Sequence, residues 1–288
     1  MSTEKQIDEI SGVETTGHEW DGIKELNDPL PRWWVWTFYA TIVWAIGYMI
    51  AYPAIPLITG ATGGLLGYSS RAEVRAELDA AQAARGEYVA AVAAMDVEDI
   101  LADENLRQFA AAAGAAAFKV NCIQCHGSGA AGSPGYPNLN DDEWLWGGDI
   151  ESIRYSIAHG IRFAGDDESR LSEMPAYGDM LQASEINEVA AYVVTLSGGE
   201  ADAAMAEAGA AIFADNCAAC HGDDGKGMRE LGAPDLTDAI WLYGSSQAEI
   251  ARQIRAPRHG VMPGWTGRLG DTTVKELAVF VHSLGGGE

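Results

Sequence analysis

Cysteine is scarce in this 288-residue chain, with four in all. All four lie in two pentapeptides, Cys122–His126 and Cys217–His221, so no disulfide framework holds the fold. Positive charge is scarce as well. Eighteen Lys and Arg face 42 Asp and Glu, a net −24, which excludes nucleic acid as a partner and favours one with a basic face. An acidic surface kept for solubility is the plainer reading of that charge. Residues 33–70 carry no charged side chain, and 71–288 carry 15 basic against 34 acidic, a balance of −19. The first hundred residues hold no cysteine, so any cysteine chemistry belongs to the remainder.

That chemistry is written twice. Cys122-Ile123-Gln124-Cys125-His126 returns 95 residues later as Cys217-Ala218-Ala219-Cys220-His221. Two thiols two residues apart can add across the vinyl groups of one haem while the adjacent imidazole reaches the iron, so each pentapeptide reads as a c-type haem attachment site. A thioredoxin-like redox pair does not require the neighbouring histidine, and a zinc site would require both pairs to converge on one metal. The matching frames Gly114-x-x-x-Phe118 and Gly209-x-x-x-Phe213 precede the two sites. In each, a small and a large residue four apart share a helix face that a closing helix bearing Tyr192 or Phe280 could cross closely.

The repeat extends further. Pro137-Asn-Leu-Asn-Asp-Asp-Glu-Trp-Leu-Trp-Gly147 and Pro234-Asp-Leu-Thr-Asp-Ala-Ile-Trp-Leu-Tyr-Gly244 share the template P-[ND]-L-x-D-x-x-W-L-x-G. Each copy continues with a short helix (Ile150–His159; about Ala248–Arg255), a Met-Pro pair and a closing helix, Ser184–Leu196 or Thr273–Leu284. A Thr273/Glu276 capping box opens the last of these. Gly198-Gly199 divides two tandem haem domains, 104–198 and 199–288.

Upstream, residues 1–32 form a polar arm that is extended or disordered without a partner. Residues 33–53 form a transmembrane helix, whose 20-residue uncharged run from Trp33 to Tyr52 suffices for a hydrocarbon core ~30 Å thick. Trp33, Trp34 and Trp36 at one end and Tyr48 and Tyr52 at the other form aromatic belts, and Pro53 and Pro56 end the helix. A cleaved signal peptide is the alternative, disfavoured by the long acidic arm in front. Residues 54–103 hold a Gly-rich loop and an amphipathic linker helix opened by a Ser70/Glu73 capping box. Its apolar stripe of Val74, Leu78, Ala81, Tyr88, Val92 and Met95 packs on the haem domains or faces a partner. Haem attachment places the haem domains outside a bacterial inner membrane and the arm in the cytoplasm.

His126 and His221 are the proximal ligands. Met174 and Met262, 48 and 41 residues after them and each before a proline, are the candidate sixth ligands. A thioether favours ferrous iron and raises the potential towards that of an electron carrier. Met228 is a rival to Met262, and so is His259, three residues away; its counterpart is His159.

The chain resembles the membrane-anchored dihaem subunit III of cbb3-type cytochrome c oxidases. Gly17-His-Glu-Trp-Asp-Gly-Ile23, Asn27-Asp-Pro-Leu-Pro-Arg-Trp-Trp34 and Tyr52-Pro53 carry the resemblance, together with both haem segments. It implies an all-α protein with one N-terminal transmembrane helix followed by two tandem cytochrome c domains carrying two covalently bound haem c groups. Such a subunit performs no bond chemistry. It relays electrons from a c-type cytochrome donor, soluble or membrane-anchored, to a monohaem subunit and then to the haem–copper catalytic subunit; a further small subunit completes the complex. By position, Cys122, Cys125, His126 and Met174 serve the first haem, and Cys217, Cys220, His221 and Met262 the second. Similarity to c-type domains suggests that the carbonyls of Pro137 and Pro234 fix the imidazole tautomers. A free-standing dihaem carrier of the cytochrome c4 type and a dihaem peroxidase are the competing functions.

Overall fold

A computed structural model describes residues 5–287 in two compact units, 1–82 and 83–288. In the first unit, β1 (Thr15–Trp20) and β2 (Ile23–Leu26) pair antiparallel, with Trp20 opposite Ile23 and Thr15 opposite Leu26. The expectation of an unstructured arm is corrected here. Asp21 (φ 50°) and Gly22 (φ 85°) form the two-residue turn that matches strand twist, and Asp-Gly is the dipeptide that tolerates it.

α1 (Arg32–Ala51) has no buried residue and is the one described helix long and apolar enough to cross a membrane. Tyr52 leaves it in an extended conformation before Pro53. Its last carbonyls find donors in the returning loop, where Leu65 N–H reaches Ile50 O (2.9 Å) and Leu66 N–H reaches Ala51 O (3.0 Å). α2 (Ser70–Ala94) is capped by Ser69 rather than by a Ser70/Glu73 box. Ala72 N–H donates to Ser69 Oγ (3.3 Å), and Glu73 bonds Tyr68 instead. The stripe on α2 is divided. Val74 and Leu78 are exposed, whereas Val92 is fully buried and Tyr88 stacks on Phe109 at 5.1 Å.

The second unit is built from α3 (Val97–Ala102), α4 (Glu104–Asn121), α5 (Ile123–His126), α6 (Ile150–His159), α7 (Ala183–Leu196), α8 (Ala203–Asn216), α9 (Ala218–His221), α10 (Gln247–Arg255), α11 (Thr266–Leu269) and α12 (Asp271–His282). Equivalent helices of the repeat start on equivalent caps. Asp103 accepts from the Asn105 and Leu106 amides to open α4, and Asp202 accepts from Met205 N–H (3.0 Å) to open α8. Asp149 opens α6, and a Ser246/Glu249 capping box opens α10. α12 begins two residues earlier than the proposed Thr273/Glu276 box and has no side-chain cap.

The closing helices are exchanged between the repeats. Leu106, Ala110, Gly114 and Phe118 form the buried stripe of α4, and it is α12 that crosses them. A Cβ on Gly114 would overlap the Glu276 carbonyl, and Phe118 lies 5.3 Å from Phe280. α8 meets α7 in the same way, with Gly209 against the Glu188 carbonyl and Tyr192 edge-on to Phe213 at 5.3 Å. One apolar core therefore joins α3, α4 and α6 to α11 and α12, and a second joins α7 and α8 to α10. Both cores cross the Gly198-Gly199 boundary. The cause is the link between α7 and α8: residues 197–202 suffice only for an antiparallel helix hairpin, which leaves the face of α4 to the last helix.

Candidate haem sites

α4 ends at Cys122, whose amide bonds Phe118 O (2.9 Å); the following turn, α5, brings His126 N–H back to Cys122 O (2.9 Å). Thiol and imidazole thus leave the same turn. His126 Nδ1 lies 3.1 Å from Pro137 O, and His221 Nδ1 lies 3.3 Å from Pro234 O. Since a carbonyl only accepts, Nδ1 carries the proton in both rings and Nε2 keeps a free lone pair. Burial lowers the pKa of both histidines against the opposing effect of those carbonyls, which holds the rings neutral and competent as ligands.

Burial, with a smaller contribution from the neighbouring thiol, pushes Cys122 and Cys217 up to about 11. A thiol–disulfide exchange pair needs the opposite shift.

Against the first pentapeptide lies a cavity of about 120 Å³, walled by Phe118, Leu139, Trp144, Trp146, Ile157 and Leu277 and bounded by Cys122, His126 and Met262. A flat apolar macrocycle fits this lining: thiol and imidazole stand on one wall, and a thioether is among the remaining lining groups. The methionine is not the one expected. Met174 packs instead with Tyr177, Leu236, Trp241 and Cys217 against the second core. Met262 rather than Met174 thus stands at the first cavity, and each methionine travels with the closing helix that follows it. The strand before α11 is held by a two-way backbone bond, Ile161 N–H to Met262 O (2.9 Å) and Met262 N–H to Ile161 O (3.0 Å).

Neither histidine rival nor Met228 lines the cavity. His159 Nδ1 faces Asp166 (3.0 Å) and Glu168 (3.4 Å), His259 is exposed, and Met228 bridges Ala233 in a surface turn. Sequence reasoning missed Trp265, only 9 % exposed, which lines the first cavity, and Tyr177, whose hydroxyl donates to Asn216 O (2.7 Å). The signal was available: each is an aromatic residue three positions after its methionine.

Glu143 also lines the cavity and hydrogen-bonds Asp238 of the other repeat. Burial first, then the charge of Asp238, pushes its carboxyl up from 4.5 to about 7. The folded state therefore holds a proton that the unfolded chain releases, and the stabilisation it brings is complete below pH 4.5 and gone once pH has risen through about 7. The melting temperature of the haem-bearing protein should fall across that window, and Glu143→Gln should flatten the fall. A native-like slope in that variant would place the titration elsewhere.

The family model described as the N-terminal domain of cytochrome oxidase-cbb3, FixP, matches residues 12–59. That of cytochrome c oxidase, cbb3-type, subunit III matches twice, over 109–193 and 204–281. The chain is 64% identical over 285 residues to the cbb3-type cytochrome c oxidase subunit FixPc of Rhizobium leguminosarum bv. viciae, covering 99% of each chain. It is 61% identical to the FixP subunit of Rhizobium meliloti, covering 99% of this chain and 98% of that one. With the CcoP subunit of Cereibacter sphaeroides it shares 56% identity over 95% of each. The hairpin and anchor, the doubled attachment turn and these likenesses agree, and the chain belongs to the subunit III family of cbb3-type cytochrome c oxidases, as a membrane-anchored electron-transfer subunit with two covalently bound haem c groups.

Proposed function

We propose that each haem is held by the attachment turn of one repeat and the methionine of the other: Cys122, Cys125, His126 and Met262 at the first site, Cys217, Cys220, His221 and Met174 at the second. The observation that carries this is the shared cavity of Cys122, His126 and Met262. Bound haem supplies a one-electron couple. The protein's part is to present His126 and His221 through Nε2 and to fix their tautomer through Pro137 and Pro234. It also excludes water with apolar walls and raises the potential with a thioether ligand. The repeats 104–198 and 199–288 remain the units of the haem-binding sequence, although their closing helices are exchanged.

Residues 1–32 face the cytoplasm and the haem segments lie outside the inner membrane, the side on which c-type haem is attached. Electrons enter from a c-type cytochrome donor and leave to the monohaem and haem–copper subunits. The balance of −19 on residues 71–288 supports a basic donor.

Met262→Leu tests the ligation. In protein whose second haem is removed by replacing Cys217 and Cys220 with Ala, it should abolish the ferric sulfur-to-iron band and open the iron to carbon monoxide. Met174→Leu in the same background should do neither. The reverse result would restore pairing within each repeat, and a protein without the band whose iron opens to carbon monoxide on His259→Ala would make the histidine the ligand.

A further inference from the structure

We propose that electrons pass between the two haems through reciprocal aromatic contacts, Trp146 against Gly232 and Tyr243 against Gly135. Each ring belongs to the haem loop of one repeat, and each glycine leads to the carbonyl that holds the other repeat's haem-binding histidine. The inference rests on the two haem sites proposed above and adds a route between them.

Trp146 and Tyr243 fill the same variable position of the W-L-x-G template, and Gly135 and Gly232 each stand two residues before the template proline. Trp146 lines the first haem cavity. Its six-membered ring lies so close to Gly232 that a Cβ there would overlap Cε2 and Cζ2, and the φ of +56° at Gly232 is one that side-chain-bearing residues rarely adopt. Ala233 follows, then Pro234, whose carbonyl is 3.3 Å from His221 Nδ1. The return contact has the same plan. Tyr243 Cε1 lies 3.4 Å from the Cβ position of Gly135, itself at φ +89°, and Gly135 N–H donates to Leu242 O (2.9 Å). Tyr136 follows, then Pro137, whose carbonyl is 3.1 Å from His126 Nδ1.

Both rings are fixed in place. The Arg170 guanidinium sits 5.3 Å above Trp146, and that of Arg258 sits 4.5 Å above Tyr243 while also donating to Tyr243 O (3.2 Å). At Gly232 a side chain would drive the ring away from the backbone, whereas at Gly135 the ring stands at ordinary contact distance and it is the φ of +89° that calls for glycine. Tunnelling is attenuated most by through-space gaps and least by covalent and hydrogen bonds. Beyond the ring, each route has one van der Waals step, from ring to glycine, before a run of covalent backbone and one hydrogen bond to the ligating imidazole. One electron moves from a ferrous to a ferric site, no bond is made or broken, and the protons stay on Nδ1 of both imidazoles, donated to the proline carbonyls.

The alternative is that the rings only cement the two loops, and a rate measured beside the potentials separates these roles. In the full-length dihaem protein, a flash-generated soluble reductant would deliver one electron, and its redistribution between the haems would be followed optically. The double variant Trp146→Leu/Tyr243→Leu should slow redistribution about tenfold or more beyond what the accompanying change in the two midpoint potentials accounts for, with both sulfur-to-iron bands retained. Trp146→Phe/Tyr243→Phe should retain most of the native rate, and each single Leu variant should slow less than the double, since the routes run in parallel. A native rate in the double Leu variant would overturn the proposal. So would slowing that the measured change in driving force between the haems fully accounts for, or a lost band, either of which would make the rings structural props. Absence of the bands from the unsubstituted protein would instead count against the ligation, a distinct failure.

Discussion

A fragment holding only the first repeat, residues 71–198, should fail to form a folded His/Met cytochrome even when haem is attached to Cys122 and Cys125. Within one repeat, α4 has no partner for its buried stripe, because the helix that covers it is α12. Removal of residues 199–288 exposes Phe118, Leu106 and Ala110 and takes away Leu277, Val281 and Trp265 from the cavity wall. Each large side chain so exposed forfeits about 1.5–3 kcal/mol, and a small domain has only about 5–15 kcal/mol in all. Circular dichroism and the ferric near-infrared spectrum of the purified fragment would check this. A cooperatively melting fragment with an intact sulfur-to-iron band would mean that α7 can close on α4 and that the exchange is a choice between near-equal packings.

Gly114→Val should destabilise the protein by about 3 kcal/mol or more, at the upper end of what overpacking costs. Replacing a mid-helix glycine ordinarily gains helix propensity, worth up to about 1 kcal/mol towards alanine. The sign reverses here because the obstacle is the Glu276 carbonyl with the Phe280 Cβ behind it, and backbone cannot rotate away. α4 and α12 would have to separate, which breaks the Phe118–Phe280 contact. For the haem-bearing unit of 83–288 that loss corresponds to a melting temperature lower by about 6–12 °C. Gly86→Val is the matched control, since nothing lies near its Cβ position. An equal loss at both positions would show that backbone preference, not helix contact, sets the cost.

These expectations show where the sequence was legible. The attachment turns and the Gly-x-x-x-Phe faces are local, and each stands where its spacing puts it; the proline carbonyls stand where the likeness to c-type domains puts them. The membrane helix was legible for the same reason, being one uninterrupted run. What stayed hidden is the identity of partners far apart in the chain. Tyr192 and Phe280 stand in equivalent closing helices, so either fits either glycine face, and only the shortness of the 197–202 link selects α7 for α8. Met174 and Met262 follow that choice, and no spacing reveals it. The Asp21-Gly22 turn was in plain view, yet it was outweighed by the polarity of the arm, and Ser69 took the cap of α2 from its neighbour.

The exchange of closing helices also bears on how the protein is made. As the chain is made from its N-terminal end, the lobe that contains Cys217 has all its helices once residue 255 has been added. The lobe begun earlier, at Cys122, still lacks Met262, α11 and α12. The first attachment turn to be made thus stands in the last lobe to close. Its cysteines remain open until synthesis is nearly over, and the Met262 loop joins its cavity only as the final helix arrives.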